Sequence, residues 1–391
     1  MRILAPLLFC SFFAIAQSNT EVYLFNIIPE ENTVTLTNQQ NISNNDGYDN
    51  QPSFYNDNQV LFASTRNGQT DIASYSIKDG KVRWINDTGF GSEYSPTKIP
   101  NQKAVSSIRL DTTGLQRLYS YDFKTGKNKE IIKGLVIGYH TWYSKDILIS
   151  SVLADGGLDL VVSNLKDGTN YTQQKKIGRS LHKIPNSNLI SYISKENEKW
   201  EIKSLNPITG ATQKIIETVP EAEDMCWLNN GTILMPKGNI LYAFNPTTDT
   251  RWKILTSFQD PNLYNITRVA TNPTSTLLAV VSDISPEVII KKQLDAYNAR
   301  DIEAFLATYS NNAQLFDFPD KKTNEGKQEL RTIFDAFFKR TPDLHVEIKN
   351  RIIIGNKVID EEYVTANGNN FNAVAIYEVQ NGKITKVTFI R

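Results

Sequence analysis

The chain has 391 residues, with 42 Lys and Arg against 42 Asp and Glu, so its formal net charge is zero at neutral pH. Nothing in that balance suggests an electrostatic grip on nucleic acid or on an anionic membrane surface. Apolar residues make up 40% and charged residues 21%, a globular composition, and the length exceeds what one ordinary core organises, which leaves two domains or one large repeat fold.

Residues 1–16 read as a secretory leader. Arg2 is the charged start, "ILAPLLFCSFFAI" a short apolar run, and "AIA" at 14–16 a small-x-small cleavage site. The run is too short for a comfortable membrane span, and no later stretch approaches that length. The mature protein is therefore expected to be exported, periplasmic or extracellular. It would carry 41 basic and 42 acidic residues, because Arg2 leaves and no acid does. Cys10 leaves as well. Cys226, in "DMCWL", then has no partner for an internal disulfide and reads as a small buried hydrophobe.

From 17 to 283 the chain repeats. Short apolar pairs follow turns at Val60-Leu61, Ala104-Val105, Ile147-Leu148, Leu189-Ile190, Ile233-Leu234 and Leu277-Leu278, in steps of 44, 43, 42, 44 and 44 residues. Downstream of the first five pairs comes an alternating strand and then a turn: Asp79-Gly80, Thr125-Gly126, Asp167-Gly168, Thr209-Gly210 and Thr248-Asp249. A period near 43 with about four short strands per unit is the pattern of a β-propeller blade, since one four-stranded sheet buries its two faces only against neighbouring blades. The sixth unit stops after two strands, at Asp283. "EVYLFNIIPEENTVTLTN", residues 21–38, has the alternation and turn of the missing two, so the last blade is expected to close between the chain ends in a six-bladed ring.

"VLFASTRNGQTDIASYSI" resembles a repeat of the TolB type, in which a strand ends in a Ser-x-Arg-x-Gly turn and the next begins Asp-Ile. "QPSFYND", "EYSPTKIPN" and "CWLNNG" are similar to that family's Trp-Ser-Pro-Asp-Gly corner. The resemblance implies a rigid disc whose loops meet a partner in the cell envelope. The repeats carry no catalytic set of common spacing. The histidines are His140, His182 and His345, with no His-x-x-x-His, no paired cysteines, no Gly-x-Ser-x-Gly elbow and no phosphate-binding glycine loop. Neither a metal nor a cofactor is implied. Trp84, Trp142, Trp200, Trp227 and Trp252 all fall within the repeats and read as wedges between blades.

After Asp283 the texture changes. Ser285 and Pro286 open a helix with Ile290, Leu294 and Tyr297 on one face, and Asp301 caps a second with Ile302, Phe305, Leu306 and Tyr309. A short strand, "AQLFDF", leads to a third helix from about Gly326, with Leu330, Ile333, Phe334, Phe337 and Phe338. Four strands separated by Gly355-Asn356, Asn367-Gly368 and Asn381-Gly382 complete the chain. Helices followed by an antiparallel meander predict an α+β cone over 284–391. "AYNARDIEAFLATYSNNAQLFDFP" and "AIYEVQNGKITKVTFI" resemble the SnoaL-like branch of the nuclear transport factor 2 superfamily. The predicted fold is thus an all-β six-bladed propeller plus a C-terminal NTF2-like cone.

That resemblance implies a site. In ketosteroid isomerase, of the same superfamily, Ala-x-Val/Leu-x-Asp ends the strand after the second helix with the catalytic base, and "AQLFD" puts Asp317 there. Phe316, Phe334 and Phe338 would make its surroundings apolar, which raises a carboxyl pKa and suits proton transfer. The isomerase's helix-one Tyr corresponds to Gln293, and its oxyanion-hole Asp has no counterpart in "FNAVAIYEV", so Tyr297 and Glu362 are the substitute polar contacts. The resulting expectation is an exported binding or scaffold protein. Its propeller would meet an envelope partner, and its cone would hold a small hydrophobic ligand or form a homodimer through the outer sheet face. The alternative is a lyase or isomerase with Asp317 as general base.

Overall fold

In a computed structural model of the protein, which describes residues 19–31 and 33–390, residues 20–283 form six four-stranded antiparallel sheets. The leader expected at 1–16 lies outside the described residues. The first blade, Asp49–Asn56, Gln59–Arg66, Gln69–Ser76 and Lys81–Trp84, shows the common plan. Its second and third strands are buried almost throughout and its last is largely exposed. Asn67 and Gly68, at φ 52° and 82°, make the two-residue turn between second and third strands, where both central positions need positive φ. Gly126, at φ 69°, is fixed by space as well: a Cβ there would stand 2.5 Å from the Ile85 carbonyl of the preceding blade.

The sixth blade joins both parts of the repeat. Its order is Val34–Asn41, Thr20–Pro29, Leu277–Asp283, Asn265–Thr271, with Val22 opposite Val281 and Leu24 opposite Ala279. The Thr20–Pro29 strand is buried on both faces because it sits between blades. Val22 and Leu24 pack with Val60, Phe62 and Ala73 of the first blade. Tyr23, Phe25 and Ile27, pointing the other way, pack with Leu234 and Leu241 of the fifth. Trp142 and Trp227 pin neighbouring blades: each indole N–H donates to a serine of the preceding blade, Ser106 at 2.9 Å and Ser191 at 2.8 Å. Cys226 is buried, unpaired by any disulfide, and its thiol is pushed up by that burial.

The C-terminal part is one six-stranded sheet with three helices. The strand order is Lys321–Glu325, Tyr309–Asp317, Lys383–Ile390, Asn369–Gln380, Lys357–Ala366, His345–Ile354, all antiparallel except for the parallel pairing of Tyr309–Asp317 with Lys383–Ile390. Lys321–Glu325 is a strand beyond those expected. It is polar and mostly exposed at the sheet edge, so it carries no apolar alternation. Helix α1 (Pro286–Ala299) starts where Ser285 Oγ accepts from Glu287 N at 3.2 Å, with proline in its first turn, and ends at Arg300 in the left-handed region. Helix α2 (Ile302–Ala307) is capped by Asp301, which accepts from the N–H groups of Glu303 and Ala304. Helix α3 (Lys327–Arg340) buries Leu330 and Phe338. Among the described residues no helix is long and apolar enough to cross a membrane.

Candidate functional site

The inner face of the sheet and α1 enclose an unusual amount of polar chemistry. Gln293 lies on α1 and is 5% exposed; its side-chain amide donates to the Tyr309 hydroxyl at 3.4 Å. Tyr309 starts its strand immediately after α2 and is 1% exposed. On Lys357–Ala366, strand alternation buries Val358, Asp360, Glu362 and Val364 and leaves Glu361 exposed. The Tyr377 hydroxyl donates to Glu362 Oε1 at 3.0 Å. Asp360 is held by Arg351 in a two-bond fork, Nε to Oδ1 and Nη2 to Oδ2, both at 2.7 Å. Burial drives the phenols of Tyr309 and Tyr377 well above their ordinary range, and the nearby Glu362 carboxylate adds to the effect at Tyr377, so both stay protonated donors.

An aromatic cluster adjoins this polar wall. Tyr297 meets Phe338 edge-on at 5.4 Å, Phe305 lies 4.6 Å from Phe334, and Phe305 reaches Tyr309 at 4.9 Å between ring centroids. The structure therefore brings Gln293, Tyr297, Phe334, Phe338 and Glu362 to one interior. It does not bring Phe316 there. Phe316 follows Leu315, which is buried inside, so it points to the opposite face, where the Lys386 ammonium stands 4.8 Å from its ring.

Asp317 is half-buried at the end of its strand and on the same side as Ala313 and Leu315. In register it stands opposite Phe389 on one side and Lys321 on the other. The same cross-sheet row continues through Ala375 to Asp360 and Arg351. Three strand spacings, about 14 Å along the sheet, separate Asp317 from the Asp360–Arg351 pair. The arrangement presents neutral phenols, an amide and paired carboxylates in the interior, with Asp317 at its rim. Sequence reading put Tyr309 on the second helix, whereas that helix ends at Ala307 and Tyr309 opens the next strand; it missed Tyr377 and the Arg351–Asp360 pair. The available signal was Tyr377 in phase with Ala373, Ala375 and Val379 on an alternating strand.

The SnoaL-like domain family matches residues 290–387, the segment that builds this interior. This part of the chain belongs to the SnoaL-like family. Among solved structures, an uncharacterized cystatin fold protein from Novosphingobium aromaticivorans is 30% identical over 27% of this chain and 98% of its own, with a TM-score of 0.26. A putative ketosteroid isomerase from Kribbella flavida is 16% identical over 27% of this chain and 77% of its own, with a TM-score of 0.24. The putative TolB of Agrobacterium tumefaciens is 11% identical over 68% of this chain and 99% of its own, with a TM-score of 0.54, a likeness of fold that covers the propeller. No curated protein matches the chain. The expected fold, a TolB-like propeller followed by a SnoaL-like α+β domain, is borne out.

Proposed function

We propose that this is an exported binding or scaffold protein, with residues 17–283 and 284–391 as its two working units. The propeller meets a protein of the cell envelope through its loops. The SnoaL-like domain pairs with a second copy through its outer sheet face, or holds a small hydrophobic ligand beside Tyr297, Phe334 and Phe338. The observation that carries a binding reading is the internal pairing of the cone. Tyr377 is bonded to Glu362 and Arg351 to Asp360, which leaves these groups spoken for rather than poised for proton transfer. Pairing of copies is supported by apolar side chains on the outer face: Ile352 is 49% and Ile390 37% exposed, and together with Ile359 and Val374 they border a groove of about 440 Å³.

Native mass spectrometry of the mature protein from its own host tests this. A dimer that falls to monomer in Ile352→Lys supports pairing of copies, and a retained adduct lost in Phe338→Ala supports a ligand. A monomer without adduct at micromolar concentration would overturn both roles of the cone. The second reading, a lyase or isomerase, is favoured by Asp317 lying on the inner side at the position the isomerase motif gives its base. It requires turnover of any adduct identified, abolished in Asp317→Asn by the ~100- to 10,000-fold that a general base contributes.

A further inference from the structure

The innermost strands of all six blades surround a cavity of about 600 Å³ on the propeller axis, within the range of small-molecule sites. Its wall is not that of a plain structural channel. Arg179 comes from the inner strand of the fourth blade, Arg268 from that of the sixth, and Asp224 from the segment leading into the fifth. The two guanidiniums flank one carboxylate: Arg179 Nε and Arg268 Nη1 stand 3.8 and 3.6 Å from Asp224 Oδ2. Those separations are too long for good hydrogen bonds, so the carboxylate balances charge without using up the donors. Each guanidinium also donates once to the Thr267 carbonyl, at 3.0 and 3.1 Å, which fixes both on the same turn of chain. Asp224 Oδ1 is occupied by the Val269 N–H at 2.9 Å.

Within this cluster two guanidiniums face one carboxylate, so with Asp224 ionised one positive charge is uncompensated; Lys183, also on the cavity wall, is exposed to solvent. Glu223 is neutralised by Lys195 at 2.6 Å. His140 and His182, also on the cavity wall, have pKa values pushed down to about 3 and about 4 by burial and stay neutral. His140 is 7% exposed; its Nε2 meets Ser106 Oγ at 2.7 Å, while its Nδ1 is buried without a hydrogen-bond partner. Arg179 Nε is likewise buried without one. Tyr139 adds an aromatic surface, 5.9 Å from the Arg268 guanidinium carbon.

We propose that the axial cavity binds a small monocarboxylate, its carboxylate received by Arg179 and Arg268 and its apolar part lying toward Tyr139. Two guanidiniums in fork geometry suit a planar two-oxygen anion, and one surplus positive charge suits a single negative one. The site is independent of the SnoaL-like interior.

Calorimetric titration of the full chain with benzoate, and with benzamide as its neutral isostere, tests the proposal. Benzoate is expected to saturate one site and benzamide to bind at least about tenfold more weakly, since a charge-assisted fork is what distinguishes them. Arg268→Gln should weaken benzoate by a similar factor while Asp317→Asn leaves it unchanged. If Arg268→Gln fails to fold, Arg268→Lys serves, because it keeps the charge, loses the fork, and is still expected to weaken benzoate. Burial holds the Asp224 carboxyl at about 7 against the Arg179 charge. The groups facing it are Arg179, Arg268, the Lys195-paired Glu223, the Tyr139 phenol and the Cys226 thiol, the last two pushed up by burial. Benzoate affinity should therefore rise as pH falls from about 8 to about 6, as Asp224 takes up a proton and releases the guanidiniums. Equal binding of benzamide, no saturable binding of benzoate, tighter binding of inorganic phosphate, or unchanged binding in the Arg268 variants would each overturn the proposal.

Discussion

His140 shows how a single side chain sets a property of the propeller. Burial pushes its pKa down to about 3, whereas an imidazole in the unfolded chain titrates near 6.5. Between those values the folded protein binds fewer protons than the unfolded one, so stability falls as pH drops through that window. His182, pushed down to about 4, acts in the same direction. Asp49 and Asp224 act in the other. Burial raises each to about 7 from an unfolded value near 3.8, so the folded state holds the extra proton and stability falls as pH rises through the interval. The opposed slopes flatten the propeller's response between about pH 4 and 6.5. His140→Gln removes one of the two histidines on one side of that balance. Its melting temperature relative to wild type should improve as pH is lowered from about 7 to about 5, beyond any constant cost of losing the Ser106 bond. A difference that stays the same at both pH values would show that His140 does not titrate as its burial dictates. At this scale the sequence was legible in part. Asp317 could be placed by its motif, and Glu362 was named among the polar contacts. Assigning Phe316 and Asp317 to one pocket conflicted with the strand they share, because neighbours on a strand face opposite ways.

Elements were more legible than side chains where their ends are built from local chemistry. Ser285, Pro286 and Asp301 gave both helix starts, since an oxygen two residues before a free N–H has one obvious use. Ser285→Ala should cost about 1 kcal/mol, read as a shift in urea midpoint without change of slope. No measurable shift would mean that packing of Ile289 and Ile290 alone seats α1. The bulges of the inner propeller strands were not legible. Register breaks at Asn50/Ser53, Tyr94/Thr97, Ile137/Tyr139, Ile177/Leu181 and Ile266/Arg268, so five of the six inner strands carry extra residues that leave the ladder. Gln51 and Ser95 take positive φ without being glycine. The repeat pattern that reveals blades is carried by second and third strands; it says nothing of an inner strand that leaves the ladder to line a cavity. Tyr139, Arg179 and Arg268 therefore looked like ordinary strand residues.

At the scale of the whole molecule the closing blade is where the two parts of the chain depend on each other. Its Leu277–Asp283 strand lies between Thr20–Pro29 and Asn265–Thr271, and only Ile284 separates that strand from the cap of α1. The Ile284 N–H donates to the Asn19 carbonyl, Ser282 is fully buried, and the Tyr264 hydroxyl donates to the Gly355 carbonyl of the C-terminal sheet. A protease needs several residues of extended, accessible chain, and this junction offers none while the first strand is in place. Leu24 holds that strand: it is 4% exposed, opposite Ala279, and packed with the first blade. Leu24→Ala should cost about 2–5 kcal/mol. The loss falls on the seam that closes the ring, so local opening there becomes more frequent. Thermolysin digestion under native conditions should leave the wild-type chain whole and cut the variant between 277 and 286, releasing the C-terminal unit. Rapid cleavage of the wild type near Ser282 would show instead that the seam opens on its own and that the two units move independently. The same cleavage pattern in both proteins would place the weak point somewhere other than the ring closure.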